Sequence, residues 1–447
     1  MRLRFVTFAL AFLVPSIRPI IPLLGAQQMA SGGGGEELVY SVRVMRHGVR
    51  SPTADPSQYN RFASAPWPAW SVAPGYLTPH GFELIKLLGA YNREELAGQG
   101  LLTAAGCDDA KRIPIHADSD QRTRETARAM VEGMFPSCSV AIRENDEGVN
   151  DPLFHLAAGS VTPEQSKLGA AAVLARVGND PANVAVAYRA PLVAFDKLLA
   201  NCGVPTPKAD RTSLLSIPAS IAPGKGDHIA EMRGPINTAS TLSEIMLLEY
   251  AEGMPATNVG WGCVDGPALR ELINLHTVAS ELSLRTPAVA IPQAASLLRV
   301  IGSSMEQAAT HHAVAGAEGK PDDKLLLLVG HDTNLTNIAG ALQLDWLIDG
   351  RRNDTPPGSA LIFELWRTRT TGELRVRLAF ATQTLEQMRN STTLSIDQAP
   401  PRVAVFVPGC SSADGSCTLR TFAELFRDKL ATVPAVPSAA QHRANIE

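Results

Sequence analysis

The 447-residue sequence predicts an α/β fold: a central, mostly parallel sheet flanked by helices, interrupted by an inserted α-helical cap domain. Three observations carry this. Segments with strand character at Leu38–Met45, Arg112–Ala117 and Lys324–Gly330 each run into a polar cluster and then a loop or helix. Leu325 to Val329 is a continuous apolar run, the pattern of a strand buried on both faces. From about residue 151 to 290, strand patterns give way to Ala- and Leu-rich stretches of helical period, such as Ser240–Tyr250 and Leu269–Leu284.

Composition excludes several function classes. Hydrophobic residues make up 45% and charged residues 19%, a globular balance that rules out a mostly disordered chain. The 40 Lys+Arg against 44 Asp+Glu leave a net charge of −4, so no broad basic face is available for nucleic acid. Aromatic residues at 5% argue against a base-stacking protein. The six cysteines include no CxxC pair, so zinc-ribbon or thioredoxin-type chemistry is not indicated.

Along the chain, Arg2 and Arg4 precede an apolar run from Phe5 to Val14, and small residues follow at Gly25 and Ala26. This is the pattern of an export signal occupying residues 1–26, with cleavage after Ala26. Its loss removes Arg2, Arg4 and Arg18 and no acid, which leaves the mature chain at −7. No later segment reads as a membrane span, so a periplasmic or secreted, membrane-free protein is expected. Residues 27–150 form the first part of the α/β domain. The Ser31–Gly35 run is a flexible lead-in and not a P-loop, because no Lys-Ser/Thr follows it. The first strand, Leu38–Met45, alternates Tyr40, Val42 and Val44 against Ser41 and Arg43, and ends in Arg46-His47-Gly48-Val49-Arg50-Ser51-Pro52. Thr78-Pro79-His80-Gly81 opens an amphipathic helix through Leu84, Leu87 and Leu88, with proline at its first position. The short strand Arg112–Ala117 ends in Asp118-Ser119-Asp120-Gln121-Arg122, and a helix follows from about Thr123 to Phe135. The cap spans 151–290. The second part of the α/β domain spans 291–433. Its strand Lys324–Gly330 passes through His331-Asp332-Thr333-Asn334 into a helix with Leu335, Ile338 and Leu342. Ala360–Trp366 and Leu374–Ala381 alternate like antiparallel strands, and Arg402–Val407 is a further strand. Residues 434–447 form a loose tail.

Export permits disulfides. Cys107 and Cys138 flank one αβ-type segment, and Cys410 and Cys417 bracket a Ser/Asp/Gly turn, so both pairs are expected staples. Cys202 and Cys263 remain, and the sequence leaves their pairing open.

Ligands of open α/β sheets bind beyond the carboxyl ends of the strands. Arg46, His47, Arg50, Arg122, His331 and Asp332 are therefore expected in one pocket. Guanidinium forks suit the oxygens of a phosphate dianion. An imidazole among them can attack phosphorus, and a carboxyl group can protonate a leaving oxygen. No HExxH-type spacing appears, so neither a metal nor another cofactor is expected. Arg124 rivals Arg122 from two residues away. His311-His312 reads as an exposed loop pair, and His80 as structural.

These residues carry a resemblance. Arg46-His47-Gly48-Val49-Arg50-Ser51-Pro52 is similar to the RHGxRxP signature of the histidine acid phosphatases, and His331-Asp332 to that family's distal HD pair. Ala117–Thr126, with Arg122, resembles the element carrying its third phosphate-binding arginine. Gly330–Leu342, Asn353–Gly358 and Gln383–Arg389 resemble the bacterial periplasmic phytases and glucose-1-phosphatases most. The resemblance runs from about Leu38 to Val433. It implies a histidine phosphatase-like fold, His47 as the nucleophile that becomes a phosphohistidine, and Asp332 as the proton donor. Arg46, Arg50, Arg122 and His331 would hold the phosphoryl oxygens, with Thr53, Glu244 and Thr333 at the substrate rim. Two details pull apart: phytases of the group carry Lys where this chain has Ala54, whereas Thr333 follows the phytase pattern and not the Ser of glucose-1-phosphatases. The expected activity is phosphomonoester hydrolysis, on phytate or on sugar phosphates, by a monomer. A phosphoglycerate-mutase-like transferase lacks the second arginine, the proline and the HD pair. A phosphate-ester binding protein without turnover would have no use for His47 and Asp332 together.

Overall fold

The computed structural model describes residues 35–431 except 158, together with 433. The export signal expected at 1–26 and the tail expected at 434–447 lie outside the described residues. The α/β part begins with β1 (Glu36–Arg46), α1 (Pro79–Gly98), β2 (Ile115–Ala117), α2 (Gln121–Met134) and β3 (Ile142–Glu144). Then come α3 (Pro163–Arg176), α4 (Ala182–Ala187), α5 (Arg189–Asn201), the hairpin β4 (Ser220–Pro223) and β5 (Ala230–Arg233), α6 (Pro235–Ala251) and α7 (Gly266–Ser283). The chain returns through α8 (Pro287–Thr310), β6 (Leu325–Gly330), α9 (Asp332–Leu342), the pair β7 (Leu347–Ile348) and β8 (Arg351–Arg352), and β9 (Ala360–Thr368). It ends with β10 (Leu374–Ala381), α10 (Leu385–Arg389), β11 (Arg402–Val405), β12 (Cys417–Thr418) and α11 (Leu419–Leu430).

The main sheet runs β11-β10-β9-β1-β6-β2-β3, with β12 paired to β10. It is mixed. The core strands β1, β6, β2 and β3 pair in parallel, whereas β9, β10, β11 and β12 are antiparallel additions beside β1. Side-chain alternation explains the apolar run in β6. Leu326 and Leu328 join Val42 and Val44 in a core with Ala294 and Leu297 of α8 and Leu335 and Ile338 of α9. Leu325, Leu327 and Val329 face the opposite way, joining Met45 in a core with Ile85 and Leu88 of α1 and Met130 of α2.

Three local readings change. The strand expected from Arg112 begins only at Ile115, because Asp108–Arg112 winds into a 3₁₀ turn and Pro114 has no N–H for a ladder. The hairpin β4–β5 interrupts the helices after residue 151; its four-residue strands are too short to show a period. Helix α8 is long and apolar enough to cross a membrane by length and composition, but Leu297, Leu298 and Ile301 are buried in the sheet core. All six cysteines are paired: Cys107–Cys138, Cys410–Cys417 and Cys202–Cys263. The last bond ties the end of α5 to the approach to α7.

Helices α5, α6 and α7 share a core built on Leu192, Phe195, Leu242, Leu248, Leu269 and Ile273. Val49, Phe62, Trp67 and Leu84 from the first part of the chain enter the same core.

Candidate active site

Strands β1 and β6 lie side by side in parallel, with Arg46 opposite Gly330, so their carboxyl ends bring Arg46–Arg50 next to His331–Asp332. The His47 N–H donates to the Gly330 carbonyl at 2.9 Å, and the His47 carbonyl accepts from the Gly358 N–H at 2.9 Å. Gly48 donates its N–H to Thr126 Oγ1 of α2 at 2.9 Å. The start of α1 presses on this loop from the other side: a Cβ on Gly81 would lie 2.2 Å from the Val49 carbonyl oxygen. The glycine of the Thr78-Pro79-His80-Gly81 step is thus there for close approach.

His47 is buried, and its Nδ1 lies 2.8 Å from the Gly48 carbonyl oxygen. A carbonyl only accepts, so Nδ1 carries the proton and Nε2 keeps its lone pair. Burial, together with Arg122, Arg46, Arg50 and His331, holds the imidazole well below its ordinary pKa and therefore neutral.

The arginines converge from two elements. Arg46 Nη1 donates to the Thr355 carbonyl at 2.7 Å, and its Nη2 lies 3.7 Å from Asp332 Oδ2. Glu244 of α6 reaches in and accepts from Arg46 Nη2 and, at 3.3 Å, from Arg50 Nη2. Its carboxylate thus reaches in from α6 to sit on the arginines. Arg122, in the first turn of α2, pairs with Asp120 at 2.5 Å and lies 3.4 Å from His331 Nδ1. Arg124 points the other way, to Glu144 of β3 at 3.0 Å, which separates the two rivals.

Asp332 opens α9, and its Oδ1 accepts the Thr333 N–H at 2.9 Å. Burial pushes its carboxyl pKa up, but Arg46, His276 and Arg50 outweigh this and hold it below the usual carboxylate range. Thr53 is exposed in the loop after the arginines, and a Cβ on Gly75 would come within 3.6 Å of Arg122 Nη1 and 3.9 Å of Thr53 Cα.

Three neighbours were not singled out by sequence reasoning: Asp118, His155 and His276. Asp118 belongs to a noted polar cluster, but its partners come from distant segments. His276 sits on α7 within a helical apolar pattern and gave no separate signal. Asp118 Oδ2 lies 2.5 Å from His331 Nε2 and 2.7 Å from His155 Nε2. These three side chains are close enough to suggest a metal site. The separations of Asp118 Oδ2 from the two imidazoles are hydrogen-bond lengths, however, whereas donors about 2.0–2.1 Å from a tetrahedral metal stand roughly 3.3 Å apart. The cluster fits shared protons better than a metal ion.

Comparison with known proteins places the chain in a family. The model of the histidine phosphatase superfamily (branch 2) matches residues 37–187 and 272–381. The chain is 33% identical to phytase AppA of Escherichia coli (strain K12) over 436 residues, covering 95% of this chain and 99% of that protein. It is 26% identical to a glucose-1-phosphatase of Providencia rettgeri, covering 91% and 95% of the two. Among solved structures, the Hafnia alvei phytase in complex with tartrate superposes with a TM-score of 0.81 at 33% identity, covering 89% of this chain and 98% of that one. On the matched model, the near full-length relatives and the shared fold, the chain belongs to branch 2 of the histidine phosphatase superfamily.

Proposed function

We propose that this protein is a phosphoric monoester hydrolase that works through a phosphohistidine on His47, with phytate-like esters as its substrate class. The observation that carries this reading is His47: a buried, neutral imidazole with its Nε2 lone pair free, ringed by Arg46, Arg50 and Arg122. His47 Nε2 attacks phosphorus while the bond from phosphorus to the ester oxygen breaks. Asp332 gives its proton to that oxygen, and the alcohol leaves. The Asp332 carboxylate then takes a proton from water; the water oxygen bonds phosphorus, the P–N bond breaks, and inorganic phosphate leaves. The arginines and His331 hold the phosphoryl oxygens in an environment organised before substrate arrives. Asp332 is ionised in the free site. A phosphate dianion draws Arg46 and Arg50 away from it and repels its charge, which raises its pKa toward that of a working acid. An acid pH optimum follows.

Support for the substrate class comes from the phytase relatives and from Thr333. A sugar phosphatase is the second reading, favoured by Ala54, which puts no cation where extra phosphates would sit. The three disulfides suit an oxidising compartment, so a periplasmic or secreted monomer is part of the proposal. Phosphate release by the mature protein from phytate, glucose 1-phosphate and p-nitrophenyl phosphate, across pH, tests it. His47→Ala is expected to abolish release; near-normal turnover in that variant refutes the phosphohistidine route. Full activity is expected in EDTA, and loss there would point to a metal.

A further inference from the structure

His155 lies outside every motif that the activity absorbs, yet it is built into the site. The turn carrying it is pinned on three sides. Asp151 Oδ1 accepts the Leu153 N–H at 2.9 Å, Asp151 Oδ2 accepts from His116 Nε2 at 2.8 Å, and Asn334 Nδ2 of α9 donates to the Phe154 carbonyl at 2.7 Å. The His155 ring is thereby held against Asp118, whose other oxygen takes the Ser119 N–H at 2.8 Å. A carboxylate only accepts, so Asp118 Oδ2 receives an N–H from each imidazole, His155 Nε2 and His331 Nε2.

The two rings differ in what their Nδ1 atoms face. His331 Nδ1 faces the Arg122 guanidinium at 3.4 Å, where a lone pair is favoured and a proton is not. His155 Nδ1 faces Asp227 Oδ2, 3.7 Å away in the β4–β5 turn, where a proton is favoured. His155 therefore has a carboxylate at each ring nitrogen, whereas His331 has Asp118, with Asp120 Oδ2 at 3.6 Å, on its Nε2 side and a cation at Nδ1. The pKa directions agree: the Asp118 hydrogen bond, with Asp227 and Asp120 beyond it, raises His155 against its burial. Burial and Arg122 lower His331, His155 adds to this, and Asp118 opposes it.

We propose that His155 is a positioning residue for the phosphoryl site, acting through Asp118: the carboxylate is shared between two imidazoles, and the charge on His155 governs how much of it is left to support His331. His331 can donate from Nδ1 to a phosphoryl oxygen only when it carries two protons, with Asp118 as its counter-charge. A charged His155 draws on that same counter-charge and so limits phosphate capture to more acid pH. This rests on the reading of the site as phosphoryl-binding.

The test is the affinity for inorganic phosphate, measured by calorimetry from pH 4 to 8 on the full mature protein, which needs no turnover. The phosphate's own titration is common to all variants and cancels in the comparison. The charged and titratable groups facing His155 are Asp118, Asp120, Asp227 and, with its ring centroid 5.2 Å away, His331. His155→Gln keeps an N–H donor for Asp118 but no charge. It is expected to move the alkaline fall in affinity upward by about half to one pH unit. His155→Lys, which restores a cation, is expected to return the fall to the wild-type position. Asp227→Asn leaves every imidazole in place and lies in a surface turn, so it tests the idea even if His155 variants fold poorly. It is expected to shift the fall in the same direction, by less. Profiles superimposable on wild type in both His155→Gln and Asp227→Asn, or shifts to lower pH, overturn the role of His155. Absence of phosphate binding in the wild type overturns the reading of the site, and this inference with it.

Discussion

At the scale of single residues, the site separates groups with similar chemistry by what stands next to them. Arg122 and Arg124 differ by two positions, and one faces His331 while the other is occupied by Glu144. Arg122→Ala is expected to lower kcat/KM roughly a hundredfold or more, the loss typical of a donor to a developing oxyanion. Arg124→Ala is expected to stay within a few-fold, and equal losses would reject the assignment. His47 and Asp332 are both buried among the same arginines, which have opposite effects on an acid and a base. They help hold the imidazole neutral and the carboxyl ionised, the states that the proposed chemistry needs in the free site. Asp332→Asn should therefore slow alkyl phosphates by roughly a hundredfold or more. It should slow p-nitrophenyl phosphate, whose leaving group needs little protonation, by no more than about tenfold. Equal slowing of the two would remove Asp332 as the acid.

At the scale of elements, the strand ends and helix starts do the positioning, and most were legible. The RHG loop, the buried run of β6 and the His-Asp step into α9 are local patterns in which sequence period and chemistry coincide. What stayed hidden depends on distant partners. Asp118 gains its meaning only when the Asp151–His155 turn and α9 close on it. Arg124 is turned away only by β3, and how closely Glu244 meets Arg46 and Arg50 depends on how far α6 reaches, which nothing local says. The close contact between α1 and the loop after β1 is also tertiary. Gly81→Ala would drive a Cβ into the Val49 carbonyl, displacing α1 or the loop. A loss of about 2 kcal/mol or more is expected in denaturant unfolding, with a fall in kcat that Gly98→Ala, which meets no neighbour, should not share. Unchanged stability in the Gly81 variant would mean that the two elements are not in tight contact.

At the scale of the whole molecule, one buried acid sets a pH trend. Glu249 of α6 lies in the helical core with a single hydrogen bond, from the Gly260 N–H at 3.0 Å, and burial pushes its pKa up to about 8. The folded state then holds a proton that the unfolded chain releases near its ordinary value of 4.5. Stability from this group is complete below that value and is lost as pH rises toward 8, by up to roughly 1.4 kcal/mol per pH unit. Glu249→Gln is expected to flatten the fall in Tm between pH 5 and 8, and an unaltered slope would show that other groups cause it. The core around Glu249 is the one that Val49 and Leu84 enter. Val49 lies between His47 and Arg50, so the loop carrying the proposed nucleophile is anchored in the core of helices α5–α7. Opening these helices away from the sheet would therefore pull Val49 out of their core. Melting of these helices and disassembly of the His47 loop are expected to be one event, so heat inactivation should follow the loss of α6 with no stage in which a folded sheet keeps its activity.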